Sequence, residues 1–133
     1  MARVLATHRL TAIGGFTPML MHQSSHDPLP KIARILNAYD ATPADVLVLS
    51  AVSGLDGHHT RPELDNDQWT RLLDNLNRIS ALAAEHNVRA VLHPHVGTLI
   101  ENGYEVQRVL EESAIALCLD TGHRTATERF HAR

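Results

Sequence analysis

Five residues in the last third of this 133-residue chain have types and spacing suited to metal or acid–base chemistry: His93, His95, Glu101, Asp120 and His123. His93-Pro94-His95 sets two imidazoles two positions apart. Extended backbone sends both to one side, and the proline stiffens the link. Neutral imidazole is a common ligand of divalent transition metals; a pair of hydrogen-bonded loop histidines has the same spacing. Asp120 follows the apolar stretch AIALCL directly. There its carboxylate either leaves a dry core to face a crevice or caps a helix through the turn DTGH. His123 is placed to touch a substrate hydroxyl or carbonyl, or stands as an exposed turn histidine. Glu101 opens a helix, where the macrodipole favours a carboxylate, so a plain electrostatic reason competes with a metal role.

The chemistry depends on what delivers these residues. Ala44–Ala51 (ADVLVLSA) is a short, continuous apolar run, the pattern of a parallel strand covered on both faces. Residues 89–92 (RAVL) and 114–119 (AIALCL) read as two more strands, and 10–13 (LTAI), closed by Gly14-Gly15, as a first one. Between them lie helical patterns. Residues 2–8 read as the last turns of a helix. Another runs from the Asp27 cap, with Pro28 and Pro30 in its first turn, to about Tyr39. A long helix capped by Asn66 or Asp67 carries Trp69, Leu72, Leu73, Leu76, Ile79, Leu82 and Ala83 with a helical period, and stops at Asn87. Residues 102–112 make a shorter helix. Helices alternating with strands imply a parallel sheet of βαβ units, either a (β/α) barrel or an open doubly wound sheet.

Each expected strand hands over to a loop rich in polar groups: Gly14, Gly15 and His22 after the first; Ser53, Asp56, His58 and His59 after the second; His93, His95 and Glu101 after the third; Asp120 and His123 after the fourth. Parallel folds place active sites at these C-terminal strand ends. Arg61, Glu63 and Asp65 read as a solvated loop. Other chemistries find no support: there is no glycine-rich dinucleotide or phosphate loop and no nucleophile elbow, and Cys118 lies inside a strand pattern rather than at an activated position.

Bulk properties are those of an ordinary soluble globular protein. The chain is 44% apolar and 20% charged with a net charge of −3, which argues against nucleic acid or an anionic membrane as partner. The single cysteine allows no internal disulfide, no run approaches the roughly 18 apolar residues of a membrane span, and the N-terminus is too polar for a signal peptide; the expectation is a cytoplasmic protein.

The segments GGFTPMLMH, HDPLP, VLVLSAVSGLDG, RPELDNDQWTRLLDNLNRISALAAEHNVRAVLHPHVGT and IALCLDTGH together resemble the sugar phosphate isomerase/epimerase proteins of the xylose-isomerase-like TIM-barrel superfamily, with the inosose dehydratases of inositol catabolism as the nearest functional relatives. The resemblance covers residues 10–123; HPHVGTLIE followed by CLDTGH is its most specific part. It implies a partial (β/α) barrel of about four parallel strands over residues 1–123, with a divergent tail at 124–133. It implies a divalent metal (manganese, cobalt or magnesium) at the barrel mouth, held by Asp120 with His93 and Glu101. Glu101 and His95 would move protons, and His123, His22 and His59 would contact a sugar or polyol substrate. His93 stands where the family usually carries a glutamate ligand, so the choice among His93, His95 and Glu101 stays open. A whole barrel needs about 250 residues, which makes this chain a truncated member whose metal and activity can be absent; the alternative function is a catalytically inactive structural or interaction module. The superfamily's DNA-cleaving branch fits poorly, for want of a basic surface. A sheet left open exposes its edges and the inward-facing Val46, Val48, Val91 and Leu117, so a homodimer or other self-association is expected.

Overall fold

The computed structural model describes residues 2–56 and 61–120. Among these residues four strands alternate with four helices: α1 (Ala2–Thr7), β1 (Gly14–Met19), α2 (Leu29–Tyr39), β2 (Val46–Ala51), α3 (Asn66–Glu85), β3 (Arg89–Leu92), α4 (Gly103–Glu112) and β4 (Ala116–Leu117). The strands form one parallel sheet in the order β1-β2-β3-β4. Strand order that follows chain order, with no reversal, is the order of a barrel wall; a doubly wound sheet reverses at a switch point.

The register divides the sheet into two faces. Leu47 and Ala90 lie side by side, as do Thr17, Leu49, Leu92 and Leu117 one row further along. This face is the core face. Leu47, Leu49, Ala51, Ala90 and Leu92 join Ile32 and Leu36 of α2, Trp69, Leu72, Leu76 and Ile79 of α3, and Val109 of α4 in one cluster. The three longer helices therefore cover the same side of the sheet. The opposite face carries the row Phe16, Val48, Val91 and Ala116. Leu117 was expected on that inner face, but its register with Leu92 turns it toward the helices, where it packs against the core. Of the other inward residues, Val91 is buried and Val46 and Val48 are half-buried, whereas Phe16 stays 54% exposed.

Local chemistry sets most boundaries. Asp65, one residue before the expected caps, closes α3 with a capping box: its carboxylate accepts the Gln68 N–H while the Gln68 side chain accepts the Asp65 N–H. Asn87 ends the helix with φ 56°, a left-handed turn that asparagine tolerates. The largest departure is β1, which occupies 14–19 instead of 10–13. Gly14 and Gly15 open the strand rather than close it. A side chain at 14 would collide with the Val46 carbonyl, so the close approach of β2 requires glycine there. α2 starts from Pro28, with Asp27 accepting the Leu29 N–H just outside it.

Candidate functional site

All four strands run the same way, so their C-terminal ends share one rim, and the loop from His93 to Glu101 lies on it, held by backbone hydrogen bonds. His93 leaves β3 still paired, its N–H donating to the Leu49 carbonyl at 2.8 Å. The His95 N–H donates to Ile100 at 3.0 Å, and the Thr98 N–H and hydroxyl return to the His95 carbonyl at 3.1 and 2.7 Å. Gly97 takes φ 79°, a conformation that disfavours any side chain. Leu99 and Ile100 then dive into the core, and the Leu99 N–H donates to Ala51 at 2.8 Å. Two apolar anchors and a web of backbone bonds thus fix a segment that carries three candidate residues.

The two imidazoles meet edge to face, with centroids 5.5 Å apart, and Phe16 of β1 stands 6.1 Å from His93. Each ring is oriented by a carbonyl: His93 Nδ1 lies 3.1 Å from the Cys118 oxygen and His95 Nδ1 lies 2.7 Å from the Val96 oxygen. A carbonyl only accepts, so Nδ1 carries the proton in both rings, and in the neutral form Nε2 keeps the lone pair suited to a metal or a proton. The His93–Cys118 contact also joins the ends of β3 and β4 and sets Asp120, exposed two residues beyond Cys118, on the same rim. Beside His95 lies a cleft of about 450 Å³ lined by Phe16, Pro18, Ser50, Ser53, Asp56 and Thr98. It spans the ends of β1, β2 and β3, where substrate sites form in parallel α/β folds.

Glu101 is turned elsewhere. Its Oε2 accepts the Gly97 N–H at 2.8 Å and pairs with Arg61 Nε at 3.3 Å. Arg61, expected in a solvated loop, is a central tie: it donates to the carbonyls of Thr98 (2.6 Å) and Leu99 (3.4 Å) and to Glu105 Oε1. Glu105 also closes the α4 capping box with Asn102. Nothing local marks Arg61; its partners lie about 40 positions away, and only the fold brings them within reach. Among the described residues, no three histidine, cysteine, aspartate or glutamate side chains converge as a metal cluster. The donor types at the rim suit a divalent ion, and these residues supply only part of a ligand set.

His22 is not gathered with the others. It is 3% exposed and belongs to a separate polar cleft of about 510 Å³ with Ser24, Ser25, Asp65, Gln68 and Arg71. Burial lowers its pKa below the ordinary 6.5, and among the described residues its Nδ1 has no hydrogen-bond partner. The folded state resists protonation while the unfolded chain accepts a proton near 6.5. Stability is therefore in place above that pH and declines as pH falls below it. The urea midpoint should drop between about pH 7.5 and about pH 5.5, and His22→Gln should flatten the decline; an unchanged slope would show that His22 does not titrate with folding. His59 and His123, the other expected substrate contacts, lie outside the described residues, as does the tail at 124–133.

A family model described as xylose isomerase-like TIM barrel matches residues 18–131. The chain belongs to that family. Within it, an inosose dehydratase of Geobacillus thermodenitrificans is 39% identical over 74 residues, 53% of this chain and 25% of that enzyme. Among solved structures, the IolI protein with a bound zinc atom superposes with a TM-score of 0.73 at 12% identity over 95% of this chain and 47% of its own. The 3-keto-D-glucoside 4-epimerase YcjR of E. coli does so with a TM-score of 0.68 at 16% identity over 92% and 53%. This xylose isomerase-like chain thus spans about half of the solved barrels and a quarter of the dehydratase it matches. Among its described residues, no helix is long and apolar enough to cross a membrane.

Proposed function

We propose that this chain is part of a metal-dependent sugar or polyol enzyme, an isomerase/epimerase or inosose dehydratase-like domain. The observation that carries the reading is the pair His93–His95, with both Nδ1 atoms committed to carbonyls, on the rim that also bears Asp120 and beside the cleft at the strand ends. His93 and Asp120 would hold a divalent ion such as manganese, cobalt or magnesium. Bound there, the ion would polarise a substrate carbonyl and its neighbouring hydroxyl. His95, at the edge of the cleft, would move the proton between adjacent carbons. Glu101 would serve as a third ligand or second proton carrier, with its resting direction set by Arg61 and the Gly97 N–H. His123 and His59 would meet substrate hydroxyls; His22, in its own cleft, is left out of this set. The relatives' names support the substrate class: a dehydratase acting on inosose and an epimerase acting on a keto-glucoside.

Calorimetric titration of the metal-free chain with manganese or cobalt tests this. One ion per chain is expected. Asp120→Ala should weaken affinity at least about tenfold by removing a charged ligand. His86→Ala should leave it unchanged, because His86 caps the far end of α3 and contacts Asp40 at 3.0 Å. The incomplete ligand set favours a second reading, an inactive structural module. A folded chain that binds no ion would sink the enzyme reading in its favour.

A further inference from the structure

His22 stands three residues past β1, in a segment fastened to α3. The buried Asn75 of α3 donates to the Met21 carbonyl at 2.8 Å and accepts from Arg78 at 2.7 Å, and Arg78 pairs with Asp27 at 3.5 Å. These bonds tie both ends of the 21–27 segment to one helix, so the cleft between segment and helix is built by the fold itself. The His22 imidazole is 3% exposed and lines that cleft. Of its two nitrogens, Nδ1 alone is sealed from both water and a partner among the described residues, which leaves Nε2 to meet the cleft. A buried polar side chain with no partner is costly and uncommon in a folded protein.

The rest of the lining supplies donors and acceptors together. Asp67 and Arg71 stand four positions apart on α3, the spacing at which opposite charges ordinarily pair, yet they form no ion pair with each other and both line the cleft. Ser24 and Ser25 bring two exposed hydroxyls from the loop. Gln68 gives its Oε1 to the α3 capping box and keeps its amide N–H groups. This mixture narrows the ligand. Two carboxylates, Asp65 and Asp67, against one guanidinium disfavour an anion. Among the described residues no three histidine, cysteine or carboxylate side chains converge, which disfavours a metal ion. The lining has no aliphatic side chain, which disfavours an apolar ligand. A zwitterion would have to set a full charge against a neutral, buried imidazole. A polyol fits: each hydroxyl both donates and accepts, and it brings no charge. The cleft, about 510 Å³, is of the size that takes a small molecule.

We propose that this cleft is a second binding site, for a neutral polyhydroxylated small molecule (a cyclitol or a monosaccharide), with the His22 imidazole, the Ser24 and Ser25 hydroxyls and the Asp67 and Arg71 side chains as its hydrogen-bonding wall. It shares no lining residue with the cleft beside His95. The site does not depend on the metal chemistry proposed above, and its test does not use it.

The test is a titration of the metal-free, ¹⁵N-labelled 133-residue chain with myo-inositol and, separately, with D-glucose, followed by amide correlation spectra. At least one of the two should bind saturably in the millimolar range or tighter, shifting the Ser24, Ser25 and Gln68 amides while the Thr98 amide beside His95 stays in place. Asp67→Ala and Arg71→Ala, on the solvent side of α3, should each weaken that binding about tenfold, the effect of losing a hydrogen bond to a charged group. Gln107→Ala, exposed on α4, should leave it unchanged. The spectrum of each variant shows directly that it is folded. Absence of saturable shifts up to tens of millimolar, shifts at Thr98 instead of Ser24 and Gln68, or an affinity indifferent to both α3 substitutions would each overturn the proposal. So would tighter binding of inorganic phosphate or of free glycine in the same cleft, which would make it an anion or a zwitterion site.

Discussion

Leu92→Ala is expected to lower the free energy of unfolding by about 3 kcal/mol. Leu92 is fully buried at the end of β3, level with Leu49 on one side and Leu117 on the other, and belongs to the cluster that joins the sheet to α2, α3 and α4. Truncation removes the transfer free energy of three carbons and leaves a cavity that a sheet pinned by its own ladder cannot close. Domains of this size hold about 5–15 kcal/mol in total, so the loss is a large share. Because His93 follows directly, it should also loosen the rim. Urea unfolding followed by circular dichroism reads the effect as a lower midpoint with an unchanged slope. Leu110→Ala, half-exposed on α4, should stay within about 0.5 kcal/mol. Equal losses for the two variants would mean that the cluster around Leu92 is not the core.

Arg61→Ala is expected to cost about 2 kcal/mol, an effect set by partners left behind more than by the guanidinium itself. Removal takes the charged partner from the carboxylates of Glu101 and Glu105, whose side chains are only 16% and 15% exposed and which keep only backbone N–H donors, and takes a donor from the carbonyls of Thr98 and Leu99. The guanidinium serves all four because its donors form a planar fork. A lysine ammonium cannot reach them together, so Arg61→Lys should recover less than half of the loss. A double-mutant cycle with Glu101→Gln isolates the pair, and a coupling near zero would show that Arg61 acts only through the carbonyls. Faster exchange of the Leu99 amide, which donates to Ala51, would report that the 93–101 loop has lost its brace.

These two positions mark what can be read along a chain and what cannot. Leu92 was legible: a short apolar run ending in a polar loop identifies a buried strand, and the periodic apolar face of α3 supplies its cover. The same holds for Asn87 as the helix stop and for His93, His95 and Asp120 standing just past their strands. Arg61 was not legible. RPELD has the composition of a solvated loop, and its role depends on carbonyls and carboxylates about 40 positions on, in the 98–105 segment, which only the tertiary fold brings close.

The amino-acid sequence by itself determined the alternation of strands and helices, the family, and the position of His93, His95 and Asp120 just past their strands, because periodicity, capping and strand-end position are local properties. Tertiary structure decided the rest. It moved β1 onto Gly14–Met19, where glycine and proline are poor strand formers and pairing with β2 overrides propensity. It turned Leu117 to the core, since a register shift of one residue exchanges faces. It buried His22 in a cleft of its own and drew Glu101 to Arg61. Each of these outcomes is a contact between residues distant in the chain, and a pattern confined to one segment carries no information about its partner.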